Sequence, residues 1–152
     1  VAILIFDEAE VLDFCGPFEV FAVTGARLEK RPFEVFIVAE KSDPVVARNG
    51  LSVNPRYTFN DCPQADILIV PGGYGARRET HNQTLIDWIK ETASKAELTL
   101  SVCTGSLLLA KAGLLDGMSA TTHWAAIDLL REVAPKTTVC PDKQFVDNGR
   151  VM

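Results

Sequence analysis

Short, largely uninterrupted apolar runs alternate along the chain with stretches of helical periodicity. Val1–Phe6, Phe33–Ala39, Asp66–Val70 and Leu98–Val102 are too short for helices and greasy at successive positions, the pattern of strands buried on both faces of a parallel sheet. Gly16-Pro17 opens a helical pattern running to Val23, with Phe18, Phe21 and Ala22 at i, i+3 and i+4 and Val20 and Val23 flanking them. Gln83–Ala96 and Thr104–Ala112 read as two further helices, and Gly113 is placed to cap the second. Val45–Val53 reads as a hairpin turning near Asn49-Gly50. Downstream, Ser119–Thr121 is a brief strand and His123–Val133 a helix. Thr137–Val146 is extended structure that turns at Asn148-Gly149, as a hairpin, into a strand starting near Arg150.

Strands alternating with helices predict an α/β fold, a doubly wound and mostly parallel sheet with helices on both faces, of flavodoxin-like type. In such sheets the site forms from loops at the carboxyl ends of the strands. Three loops qualify: the segment around Asp13, the Pro71-Gly72-Gly73 turn, and the turn at Cys103.

With 152 residues and a 47% hydrophobic fraction, residues 1–152 are expected to fold as a single domain. The chain begins inside a strand-like run and stops inside the Asn148-Gly149 hairpin, so the domain is expected to extend beyond both ends. A formal net charge of −5 with scattered basic residues gives no electrostatic footprint for nucleic acid or an anionic membrane. The longest greasy stretch, Leu98 to Leu115, is broken by Thr104, Gly105, Ser106, Lys111 and Gly113 and makes a poor membrane span. The expected partner is a small-molecule substrate, not a nucleic acid or a membrane.

Four cysteines (Cys15, Cys62, Cys103 and Cys140) lie far apart without a C-x-x-C pair, and there are two histidines. Neither a metal site nor a disulfide framework is indicated, no cofactor is expected, and a reducing, cytoplasmic setting fits. Cys62 and Cys140 read as small buried hydrophobes. Cys15, close in sequence to Asp13, is either inert packing or a second redox-sensitive thiol. His81 falls in a polar, solvated stretch, His123 reads as a packed and hydrogen-bonded residue, and Trp88 and Trp124 as core.

Cys103 is different. Val102-Cys103-Thr104-Gly105-Ser106 reads as a strand end, a sharp turn and a helix start, which exposes a thiol beside unsatisfied N–H groups and the positive end of a helix dipole. That environment is expected to favour the thiolate, hence a nucleophile.

Leu12-Asp13-Phe14-Cys15-Gly16-Pro17, Ile69-Val70-Pro71-Gly72-Gly73, Ser101-Val102-Cys103-Thr104-Gly105 and Ala120-Thr121-Thr122-His123-Trp124 together resemble the ThiJ/PfpI superfamily, whose fold is related to class I glutamine amidotransferases. The last two segments look most like isocyanide hydratases and the sensor domains of AraC-type regulators. The resemblance implies that Cys103 is the nucleophile and that Asp13 supplies the nearby carboxyl, with a pKa raised by burial and the sulfur. It also implies Thr104 as a third catalytic residue and Gly72, Gly73 and Gly105 as oxyanion or substrate-binding residues, the N–H groups of Gly73 and Thr104 stabilising developing negative charge. Superfamily proteases carry a histidine after the cysteine, where this chain has Thr104, so a Cys-His protease dyad is disfavoured. The implied activity is hydration of an isocyanide to an N-substituted formamide by a homodimeric enzyme. The alternatives are a non-catalytic ligand-sensing domain of an AraC-type regulator and a thiol-based stress sensor.

Overall fold

The computed structural model describes residues Val1–Met152. The chain runs from β1 (Ala2–Leu4) through α1 (Val11–Val23) to β2 (Phe36–Ala39), then through β3 (Val45–Val46) and β4 (Ser52–Val53) to β5 (Tyr57–Thr58) and β6 (Ile67–Val70). A short α2 (Gly75–Glu79) and α3 (Gln83–Lys95) lead to β7 (Leu98–Ser101), α4 (Gly105–Lys111), β8 (Ser119–Ala120), α5 (Ile127–Val133) and β9 (Thr138–Val139).

The apolar runs pair as expected for a buried parallel sheet, in the order β5-β2-β1-β6-β7. Ile3 in the central strand sits beside Ile37 on one side and Ile69 on the other. Ala2, Ile3 and Leu4 are all fully buried, which is why this strand is a continuous apolar run and not an alternating one. From β1 the chain steps through α1 to β2 in one direction, and from β6 through α3 to β7 in the other. Right-handed crossovers then place α1 and α3 on opposite faces, the doubly wound arrangement. The winding direction changes between β1 and β6, and ligands bind such sheets at that crevice. α4 buries Leu107, Leu108 and Leu109 completely because α2, α3, α5 and the sheet enclose it.

Several elements differ from the sequence reading. α1 begins at Val11, ahead of Gly16-Pro17, so Asp13 lies in its first turn and Pro17 inside it. The buried face extends upstream through Phe14 and the partly buried Val11, which carries the helix back past the proline signal. The hairpin of β3 and β4 forms as expected, whereas β5 and α2, only two and five residues long, have too little periodicity to announce themselves. His123–Val133 splits into a 3-10 turn over Trp124–Ala126 followed by α5. Trp124 is 81% exposed and is no core residue, while Trp88 does pack, stacking on Phe59 at 4.5 Å.

Within Thr137–Val146 only β9 is a strand, and it pairs in parallel with β8. The Asn148-Gly149 turn does not close a hairpin. The Asn148 side chain instead exchanges hydrogen bonds with the Ser119 backbone, and Val151 joins the sheet edge parallel to β7 opposite Thr99. No helix is long and apolar enough to cross a membrane.

The α4 packing predicts that Leu108→Ala lowers stability by about 2–5 kcal/mol. Urea unfolding with an unchanged denaturant slope checks this, and a loss below about 1 kcal/mol contradicts it.

Candidate active site around Cys103 and Asp13

β7 runs out at Ser101, and two residues later Cys103 adopts φ 55°, a left-handed backbone conformation that non-glycine residues seldom take. Thr104 follows as the N-cap of α4. The sharp strand-to-helix turn read from the sequence therefore exists, with the cysteine at its apex. Two hydroxyls grip the Cys103 carbonyl oxygen: Thr122 Oγ1 donates at 3.0 Å and Ser106 Oγ at 3.3 Å.

The β6 turn lies against this elbow and against α1. The Gly72 N–H donates to Asp13 Oδ2 at 3.0 Å, and the Gly72 carbonyl accepts from Glu10 N–H at 2.9 Å. The Gly73 N–H donates to Thr104 Oγ1 at 3.0 Å, and that hydroxyl donates back to the Gly73 carbonyl at 3.2 Å. Only glycine fits at position 72. A Cβ there would strike the Thr104 backbone nitrogen and stand 2.6 Å from its Oγ1 and 3.0 Å from Asp13 Oδ2. Gly105 is compelled in the same way, because its Cβ would run into the Val70 carbonyl.

These contacts bring Asp13, Gly72, Gly73, Cys103, Thr104 and Gly105 together. They also change the part assigned to Gly73, whose N–H is engaged by Thr104 and is not free to meet a substrate. The N–H of Thr104 is directed at the Cys103 sulfur.

Asp13 is 8% exposed, and burial holds its carboxyl above the usual range. The Gly72 N–H works against that rise, the Glu10 carboxylate adds to it, and Cys103 and His123 oppose it. For Cys103, burial and the adjacent Asp13 charge push the thiol up, and the Thr104 N–H and hydroxyl pull it back only in part. Desolvation and the neighbouring carboxylate thus work against the thiolate preference expected at the start of α4. Within the pair the carboxylate restrains ionisation of the sulfur, whereas the thiol helps to hold the carboxyl in its charged form.

A cavity of about 430 Å³ opens beside Cys103, between Ser119–His123 and Gln144–Asn148, with Leu115, Phe145 and Met152 among its walls. No Asp, Glu, Lys or Arg lines it. Cys15 is exposed and, two residues from Asp13, points to another side of α1, so it does not join the pair. Cys62 and Cys140 are half-buried, their thiols donating to the carbonyls of Pro63 and Thr138, and His81 is exposed. His123 is hydrogen-bonded as expected, its Nδ1 accepting from Ala125 N–H, but it is exposed at the cavity rim and not packed. Three contributors were given no site role by the sequence reading: Glu10, and Thr122 and His123, although the segment holding the last two carries part of the family resemblance. The adjacent hydroxyls Thr121-Thr122 ahead of a helix were the signal available for Thr122.

Because the Asp13 pKa is raised above its unfolded value of 3.8, its contribution to stability is full below that value and is lost as pH rises through the folded pKa. Asp13→Asn keeps an acceptor for Gly72 and removes the buried charge. It should be more stable than the parent at neutral pH, with the advantage shrinking as pH falls into the carboxylate range. Urea unfolding at neutral and acidic pH checks this, and an Asn variant that is weaker at neutral pH contradicts it. Gly72→Ala should cost about 1–3 kcal/mol by overpacking, read as a lowered melting temperature.

The DJ-1/PfpI family matches residues 1–152, and the chain belongs to it. It is 40% identical over 130 residues to isonitrile hydratase of Pseudomonas putida, covering 86% of this chain and 54% of that protein. The HTH-type transcriptional regulator CdhR of Pseudomonas aeruginosa is 33% identical over 76% of this chain and 34% of its own length. The chain thus spans about half or less of these relatives. Among solved structures, a ThiJ/PfpI family protein from Pseudomonas syringae superposes with a TM-score of 0.87 at 29% identity, over 99% of this chain and 60% of that one. DJ-1 of Schizosaccharomyces pombe shares the fold at a TM-score of 0.79 and 18% identity, over 99% and 79–80% of the two chains.

Proposed function

We propose that this DJ-1/PfpI domain is the catalytic part of a cysteine-dependent enzyme that hydrates a small carbon electrophile, with an isocyanide as substrate and an N-substituted formamide as product. The observation that carries this reading is the buried Asp13 carboxyl held by the Gly72 N–H against a strained elbow bearing Cys103, in a chain 40% identical to an isonitrile hydratase.

The chemistry asks for a nucleophile and one group that both gives and takes a proton. The Cys103 sulfur forms a bond to the terminal isocyanide carbon while the thiol proton passes through Asp13 to that carbon, giving a thioimidate. Asp13 then removes a proton from water as the oxygen attacks the same carbon, and delivers it to nitrogen. Cleavage of the C–S bond, with the new hydroxyl's proton passed to sulfur as its oxygen becomes the carbonyl, releases the formamide and restores the thiol. A carboxyl with a raised pKa suits both steps, since it holds a proton closer to neutral pH than an ordinary aspartate does. The uncharged walls of the cavity suit a neutral substrate.

Protein carrying this domain should convert alkyl or aryl isocyanides to formamides. Cys103→Ala should abolish turnover, and Asp13→Asn should reduce kcat by about 10²-fold or more, in line with loss of a positioned acid–base group. Formamide production measured by chromatography checks this, and turnover that survives Cys103→Ala contradicts it. The likeness to CdhR supports a second reading, a sensor domain that binds a small molecule in the same cavity without turning it over. Saturable binding of an isocyanide that leaves the ligand unchanged and persists in Cys103→Ala would favour that reading.

A further inference from the structure

We infer that Thr122 is a positioning residue for Cys103: its hydroxyl, donated to the Cys103 carbonyl oxygen at 3.0 Å, holds the elbow in the left-handed conformation that sets the sulfur against Asp13. The inference rests on the proposed nucleophilic role of Cys103. Its warrant is where each restraint on the elbow comes from. The other hydroxyl on that carbonyl, Ser106 Oγ, sits within α4, three residues away, and travels with the turn it contacts. Thr122 lies nineteen residues on, in the link between β8 and α5.

That link has foundations of its own. Ala120 pairs with Val139 across β8 and β9, its carbonyl accepts from Cys140 N–H at 2.8 Å, and Thr121 Oγ1 donates to the Lys143 carbonyl at 3.1 Å. On its far side the elbow is tied through Thr104 Oγ1 to Gly73. Cys103 is therefore clamped between two independently built supports, Gly73 acting through Thr104 on one side and the Thr122 hydroxyl on the other. An unanchored residue with φ 55° relaxes toward commoner backbone angles, carrying the sulfur away from the carboxyl.

The test is the pH dependence of iodoacetamide alkylation at Cys103, followed by mass spectrometry of its peptide, in the parent, Asp13→Asn, Thr122→Val and the double variant. Asp13→Asn should lower the apparent thiol pKa in the parent. Thr122→Val should lower it as well and shrink the further effect of Asp13→Asn by about half or more. Thr122→Ser, which keeps the hydroxyl, should restore the parent profile. Thr137→Val, which deletes a hydroxyl bond of the same kind to the Leu115 carbonyl, should leave it unmoved, and Thr122→Ala replaces the valine variant should that one not fold. A full Asp13→Asn response in the Thr122→Val background overturns the positioning role alone. A parent thiol indifferent to Asp13→Asn overturns the coupling itself, and the proposed chemistry with it.

Discussion

The site depends on the close passage of one backbone through a gap that admits no side chain. Gly72 runs between the Asp13 carboxyl and the Thr104 amide, and its own N–H and carbonyl fasten the β6 turn to both ends of the first α1 turn. The packing of three strand ends is thereby converted into a fixed relation between a carboxyl on one and a sulfur on another. Each neighbouring contact refines that relation. Thr104 locks its hydroxyl onto Gly73, Gly105 lets α4 start against the Val70 carbonyl, and Thr122 steadies the elbow from outside.

Electrostatics follow from that geometry. Two groups that ionise to negative charge share a poorly hydrated corner, so neither gives up its proton at its ordinary pH. A free thiolate would be the stronger nucleophile at rest, yet a thiol beside a carboxyl offers a proton route in both directions. The proposed addition of S–H at a neutral carbon electrophile would use that route.

Much of this was legible in the sequence because it rests on local patterns. Strands apolar at every position are recognisable without partners, and β1, β2, β6 and β7 fall where such runs lie. The turn at Cys103 and the Pro71-Gly72-Gly73 stop are likewise encoded in a few adjacent residues, and the motif resemblance brought in Asp13. What depends on tertiary surroundings was harder to read. The start of α1 follows the buried Phe14 and not the proline that seems to open the helix. The extended segment expected near Arg150 pairs, through a single bridge at Val151, with the open side of β7 and not back across Asn148-Gly149, where the hydrogen bonds of Asn148 to Ser119 exclude the hairpin. The ionisation of Cys103 follows the same rule: helix position and, through the motif resemblance, the nearby Asp13 are visible in a sequence, whereas the desolvation that pushes the thiol up is not.

The coupling of Asp13 to Cys103 is the claim on which the rest stands, and the carboxyl reports it directly. Following the Asp13 side-chain carbon by NMR across pH, in the parent and in Cys103→Ala, measures it without reference to any substrate. The account predicts a midpoint above the ordinary aspartate value of 3.8 in the parent and a still higher one once the thiol is removed, because Cys103 helps to hold the charged form. A midpoint at the ordinary value, unmoved by Cys103→Ala, would contradict it.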